Sequence, residues 1–254
     1  MAASEQQGPE ADGLEQGLFS HLIELRTRLM RALITVVVVL VALIPFANRL
    51  YTELAQPLVK RLPQGAHLIA TEVAGGFVTP LKLAFYTALF IGMPMILYQL
   101  WAFVSPGLYR NEKRLARPLL AAALLLFYLG CAFAYFLVLP AAFRFLTAVT
   151  PVGVEMMTDI SHYLDFVMLM FFAFGLCFQV PVIVVVLAAI GVVNLEQLRN
   201  GRRYAIVGAF TISAFITPPD ITSMIMLAIP MCLLYELGVL AVRWLLKPGQ
   251  TERA

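Results

Sequence analysis

The chain has 254 residues, 61% hydrophobic and only 13% charged, with a formal net charge of +3. Soluble domains carry about 25% charged residues, and the apolar excess here falls in long blocks, which excludes an ordinary globular enzyme and defines an all-α integral membrane protein. No basic run interleaved with aromatic residues is present, so no nucleic-acid partner is expected.

Residues 1–17 are polar and acidic (Glu5, Glu10, Asp12, Glu15), with Pro9 and three glycines, and are expected to form a disordered tail. The first apolar run starts near Leu29 and no small-residue cleavage site follows it, so it should remain as an anchor rather than leave as a signal. Ahead of it, Leu18, Leu22, Leu25 and Leu29 recur at helical spacing, while His21, Glu24, Arg28 and Arg31 line another face. This is an amphipathic helix leading into a span. Glu24 has two readings at this point. It pairs with Arg28 at i,i+4 for about 0.2–0.5 kcal/mol, or it faces a cationic partner at the membrane surface.

A span needs about 20 apolar residues to cross about 30 Å of hydrocarbon. Six candidate runs stand out, at 29–46, 80–104, 118–145, 164–193, 204–216 and 222–246, forming one domain over 18–247 and leaving 248–254 as a tail. Thr79-Pro80 suits an N-cap followed by proline at the first helical position. Pro106-Gly107 should stop the second helix, and Asn194 with Gln197 should start a short helix after the fourth. The fifth run reaches only about 20 Å at 1.5 Å per residue before Thr217-Pro218-Pro219-Asp220 ends it. Pro94, Pro140, Pro181 and Pro230 each remove a backbone donor within a span and should kink it. The expected architecture is a concave, kinked bundle with a short fifth helix and a thinned bilayer beside the last two helices.

Between spans, residues 48–79 form a long connection with an amphipathic stretch at Leu50, Leu54 and Leu58, and 147–161 form a second. No internal repeat relates the two halves. Lys and Arg set the orientation. With the N-terminus inside, thirteen lie on the inner side (Arg26, Arg28, Arg31, Arg110, Lys113, Arg114, Arg117, Arg199, Arg202, Arg203, Arg243, Lys247, Arg253) and five outside (Arg49, Lys60, Arg61, Lys82, Arg144). Both termini are therefore expected in the cytoplasm.

Chemistry of the catalytic kind has little to work with. The chain contains no Gly-x-Ser-x-Gly and no His-Glu-x-x-His, and none of His21, His67 and His162 lies deep in a span. Cys131, Cys177 and Cys232 stand singly in apolar surroundings and read as small core hydrophobes. No catalytic residue, metal or cofactor is expected. A second polar motif runs from Tyr98 through Arg114. There Trp101 and Tyr109 suit an aromatic belt, and Glu112 beside Asn111 suits a helix N-terminus.

These motifs together resemble the TatC family, the multispanning subunit of the twin-arginine protein translocase. The likeness rests on His21-Leu22-Ile23-Glu24-Leu25-Arg26-Thr27-Arg28, Ala70-Thr71-Glu72-Val73, Tyr98 through Tyr109, Gly208-Ala209-Phe210 and Thr217-Pro218-Pro219-Asp220, in that order. The resemblance implies a receptor, not an enzyme, in the bacterial inner membrane. It would bind twin-arginine signal peptides of folded precursors at its cytoplasmic face. It would also build a proton-motive-force-driven translocon with TatA-type and TatB-type single-span partners and further copies of itself. Glu24 and Glu112 would form the twin-arginine site, with Arg26 and Phe103 in the same region. The last two helices, with Gly208, Met224, Met226 and Met231, would be the docking side for a partner. Pro57, Glu72 and Asp220 are candidate functional positions on the outer side.

Two positions inside spans stand apart. Where many relatives carry glutamate the chain has Gln179, which cannot ionise; its amide can bond a signal peptide or a carbonyl freed by Pro181. Glu236 is an acid within the sixth span, costing about 2.5–3.5 kcal/mol at a helix centre unless paired or solvated. A secondary transporter with proline-broken helices is the alternative reading, although paired broken helices in repeated halves are lacking.

Overall fold

The computed structural model describes residues 9–59, 67–69, 74–104, 116–149, 157–216 and 221–245. The architecture is helical throughout, apart from two three-residue strands. Among the described residues, five helical runs are long and apolar enough to cross a membrane: Leu22–Glu53, Gly75–Phe103, Arg117–Leu146, Ile160–Ala189 and Met224–Leu245. Helix α9 (Arg202–Ile216) is the short sixth member. Its 15 residues span about 22 Å.

Helix α1 (Pro9–Leu43) passes through a 3-10 turn at Ile44–Phe46 into α2 (Ala47–Val59). The expected disordered tail is thus helical from Pro9 onward. Proline in the first turn sacrifices no hydrogen bond, and the apolar run behind it carries the helix. Helix α3 (Gly75–Val104) begins five residues before Pro80. Thr79 is therefore not its N-cap; it is buried inside the helix, and its Oγ1 has no hydrogen-bond partner among the described residues. Pro106 and Gly107 lie outside the described residues.

The third span is interrupted as its proline requires. Helix α4 (Ala116–Phe133) widens into a π segment, Ala134–Val138, before α5 (Leu139–Val149). Pro140 cannot donate to the carbonyl four residues back, and the wider turn absorbs the defect. The fourth span is two helices, α6 (Ile160–Cys177) and α7 (Val180–Ala189), broken at Phe178–Gln179 just ahead of Pro181. It ends at Gly191 with φ 77°, where Val192 N–H bonds Leu187 O and Gly191 N–H bonds Ala188 O. That left-handed cap needs glycine. Helix α8 (Leu195–Asn200) carries the expected capping box between Asn194 and Gln197. Helix α10 (Ile221–Leu245) runs through Pro230.

The most extensive pairings are α1 with α3, α10 with α7 and α9, and α4 with α6. The centre is closed by interlocking rings and glycines. Phe127 and Phe174 are fully buried, and Phe90 stacks among Phe127, Phe171 and Phe172 at 5.0–6.0 Å. Outward, Leu29, Val38, Phe77, Leu125, Phe136, Leu176, Phe215 and Trp244 are exposed. Such a belt is stable only where the solvent is lipid. Strands β1 (His67–Ile69) and β2 (Met157–Asp159) pair in parallel, joining the two long connections at one end. Asp159 then caps α6, accepting from Ser161 N at 2.8 Å and His162 N at 3.3 Å.

Candidate functional site

Consecutive spans run in opposite directions, so one end of the bundle, called here the near end, gathers the start of α1, the end of α3, α8, and the start of α9 at Arg202 paired with Glu236 in the later part of α10. Its depth can be read from one contact. A Cβ at Gly92 of α3 would stand 3.2 Å from Val36 Cγ2 of α1. Glu24 lies twelve residues before Val36, and Val104 twelve after Gly92. At 1.5 Å per residue both are about 18 Å from that crossing, which sets Glu24 level with Phe103.

Along α1 the less exposed positions follow an i,i+4 row, Glu24, Arg28, Ala32 and Val36. Glu24 and Arg28 therefore sit at the bundle side of the helix. The Arg28 guanidinium donates to Glu24 Oε1 from Nε at 3.0 Å and from Nη2 at 2.6 Å. The side chains remain 22% exposed for Arg28 and 37% for Glu24. Among the described residues, Glu24 Oε2 has no partner. A pair of this kind contributes only about 0.3–0.5 kcal/mol, so an incoming guanidinium can displace it. Arg26, exposed two residues on, is turned about 200° from Glu24 around the helix. The arginine beside the carboxylate is Arg28 instead.

Phe103 is half-buried in the last turn of α3, next to the buried Trp101. Glu112 lies outside the described residues, as do Glu72 and Asp220. Pro57 falls within α2, and its side chain lies outside the described ones. Gln179 is buried, and its Nε2 donates to Ala123 O of α4 at 2.9 Å. The amide thus ties α4 to the break between α6 and α7, rather than serving the carbonyl freed by Pro181. Glu236 accepts from Arg202 Nη2 at 2.8 Å, both side chains about half exposed (50% and 47%). It is a solvated surface pair joining α10 to the start of α9. Met231 belongs to the buried core, which leaves Met224 and Met226 half-buried on that side.

Sequence reasoning missed two polar groups. Gln99 is 5% exposed on α3, with Oε1 lacking a hydrogen-bond partner among the described residues; its signal was an amide inside an apolar span. At the opposite, far end Lys82 Nζ donates to Asp165 Oδ2 at 2.7 Å and Ser161 Oγ at 3.0 Å, with Tyr86 OH 3.4 Å from Oδ1. Two ionisable groups in separate spans were the clue there. No cluster of three or more His, Cys, Asp or Glu able to hold a metal occurs among the described residues.

Fold and site together define a multi-pass helical membrane protein with a partly exposed, locally paired carboxylate at one end of its bundle. Residues 20–230 match the family model of the Sec-independent protein translocase protein (TatC). The Sec-independent protein translocase protein TatC of Escherichia coli (strain K12) is 50% identical over 237 residues, covering 93% of this chain and 92% of that one. Its counterpart in Haemophilus influenzae is 49% identical over 239 residues, covering 94% and 93%. A crystal structure described as the twin arginine translocase receptor TatC superposes with a TM-score of 0.76 at 37% identity, covering 89% of this chain and all of that one. The chain belongs to the TatC family. It is a component of the Sec-independent protein translocase, and that membership replaces the transporter reading.

Proposed function

We propose that this chain is the receptor subunit that binds twin-arginine signal peptides of folded precursors at the cytoplasmic face of the inner membrane, both of its termini lying on that side. The observation that carries this is the accessible Glu24 carboxylate, held only by a weak local pair and level with Phe103. A guanidinium offers a rigid fork of donors that a carboxylate accepts in two-point geometry, whereas an ammonium is a point charge. Glu24 and Glu112 would take one arginine each, Phe103 would pack against the peptide, and Arg26 would add to the field around them. Each charge-assisted hydrogen bond contributes about 1.5–3 kcal/mol, enough to prefer Arg-Arg over Lys-Lys. The apolar stretch after the arginines would lie along the bundle. Single-span partners of TatA and TatB type, and further copies of this chain, would complete a translocon driven by the proton-motive force. The open face of α9 supports that docking, since a Cβ at Gly208 would meet nothing within 4 Å.

Photocrosslinking a twin-arginine precursor to probes beside Glu24 and Glu112 tests the site. Strong labelling by the Arg-Arg precursor and weak labelling by its Lys-Lys variant is expected. Equal labelling would remove specific recognition from these positions.

A further inference from the structure

Helix α3 carries, on the side that faces α1, a buried oxygen with no hydrogen-bond partner among the described residues. Gln99 Nε2 donates to Met95 Sδ at 3.9 Å, and no described donor reaches Oε1. A buried acceptor left empty is costly and calls for a second arrangement that fills it. Gln99 lies seven residues, two helical turns, after Gly92 and so shares its face. That face is the one pressed against Val36 of α1. Seven residues back from Val36 is Leu29, which sets its neighbour Arg28 at the depth of Gln99. The Thr27 hydroxyl at this level already donates to Ile23 O at 2.9 Å. Among the described residues, a donor-rich group within reach of that depth is the Arg28 guanidinium, engaged on Glu24 Oε1.

We propose that Arg28 is an internal stand-in for the substrate guanidinium on Glu24, and that Gln99 Oε1 receives Arg28 when a peptide arginine takes its place. The inference rests on Glu24 being a guanidinium acceptor. In the exchange, two hydrogen bonds from Arg28 to Glu24 break, two from the peptide arginine form, and the orphaned oxygen gains a charged donor. Like replaces like, so Glu24 is never left uncompensated. A peptide lysine cannot reproduce the two-donor grip and fails to evict the occupant. Arg28 therefore sets selectivity and Gln99 sets affinity.

The test is a double-mutant cycle on the full chain in lipid nanodiscs, titrated with a fluorescent twin-arginine signal peptide and its Lys-Lys counterpart. Gln99→Leu should weaken Arg-Arg peptide binding about tenfold, the smaller end of one hydrogen bond to a charge. In an Arg28→Gln background the same change should do nothing, and Arg28→Gln alone should narrow the Arg-Arg preference. The peptide-free Gln99→Leu protein should melt no lower than the parent, because an orphaned buried oxygen goes and the bond lost is the long one to Met95 Sδ. A lower melting temperature, equal losses in both backgrounds, or no loss in either would overturn the exchange. Glu24→Ala separates the two levels: undiminished capture there sinks the parent reading and this one with it. Lost capture beside an uncoupled cycle sinks the exchange alone.

Discussion

The near and far ends of the bundle hold their charges in opposite ways. At the far end Lys82 and Asp165 come from separate spans, 83 residues apart in sequence, and Ser161 and Tyr86 add further bonds across the same interface. At the near end Glu24 and Arg28 are four residues apart on one helix. A pair between helices fixes those helices to each other, and losing it costs the fold. A pair within one turn fixes nothing beyond that turn, so its members can change partners while the bundle stays in place. The far end is built as a clamp, backed by the β1–β2 pairing and the Asp159 cap. In the proposed receptor, the near end is the one that exchanges partners.

The sharpest way to break this comparison is at the seam that carries both ends, α4 against α6. A Cβ on Gly130 would meet Phe174 O at 2.6 Å, and one on Gly175 would meet Phe127 Cε2 at 2.6 Å. The first obstacle is backbone and the second a fully buried ring. Gly130→Val should cost about 1–3 kcal/mol or more and lower the melting temperature in detergent, with Gly175→Ala milder. Unchanged melting for Gly130→Val would show that the seam yields. Next in size, Asp165→Leu removes the carboxylate from Lys82, which keeps its bond to Ser161 Oγ, and should cost about 1 kcal/mol, limited also because both side chains of the pair are more than a third exposed. Pairing it with Lys82→Met should recover most of that loss in the same melting assay. Neither change should alter signal-peptide capture; a capture defect in the double variant would merge the two ends into one unit.

The sequence made the fold class legible because apolar run length and proline placement are local signals. The break at Phe178–Gln179 and the π segment before Pro140 both follow from single missing donors. Helix ends were harder. Thr79-Pro80 has the residues of a cap, yet the helix starts at Gly75, because lipid-facing residues such as Phe77 reward extending it. The Glu24–Arg28 pair was readable as an i,i+4 spacing. Resemblance puts Arg26 in the region of Glu24, and helical geometry points it about 200° from that side chain around α1. The Lys82–Asp165 clamp and the level position of Gln99 with Arg28 were not readable, since each depends on which spans pack side by side. Nothing in a one-dimensional pattern records that.

The smallest effects sharpen the comparison at intermediate depth. Gln179→Leu removes the hydrogen bond to Ala123 O and should cost about 0.5–1.5 kcal/mol, toward the low end because interhelical bonds inside membranes average about 0.6 kcal/mol. Gln179→Glu is the informative partner. Ionised, the side chain loses its donor and faces the Ala123 carbonyl, so it must protonate to keep the contact. The melting temperature of that variant should therefore fall as pH rises, while Gln179→Leu should show no pH dependence at this position. Glu236→Gln, at a half-exposed pair with Arg202, should change stability by less than about 0.5 kcal/mol. A pH-independent Gln179→Glu would mean that water or a cation reaches this depth. The boundary between the openable end and the clamped end would then lie beyond Gln179 rather than before it.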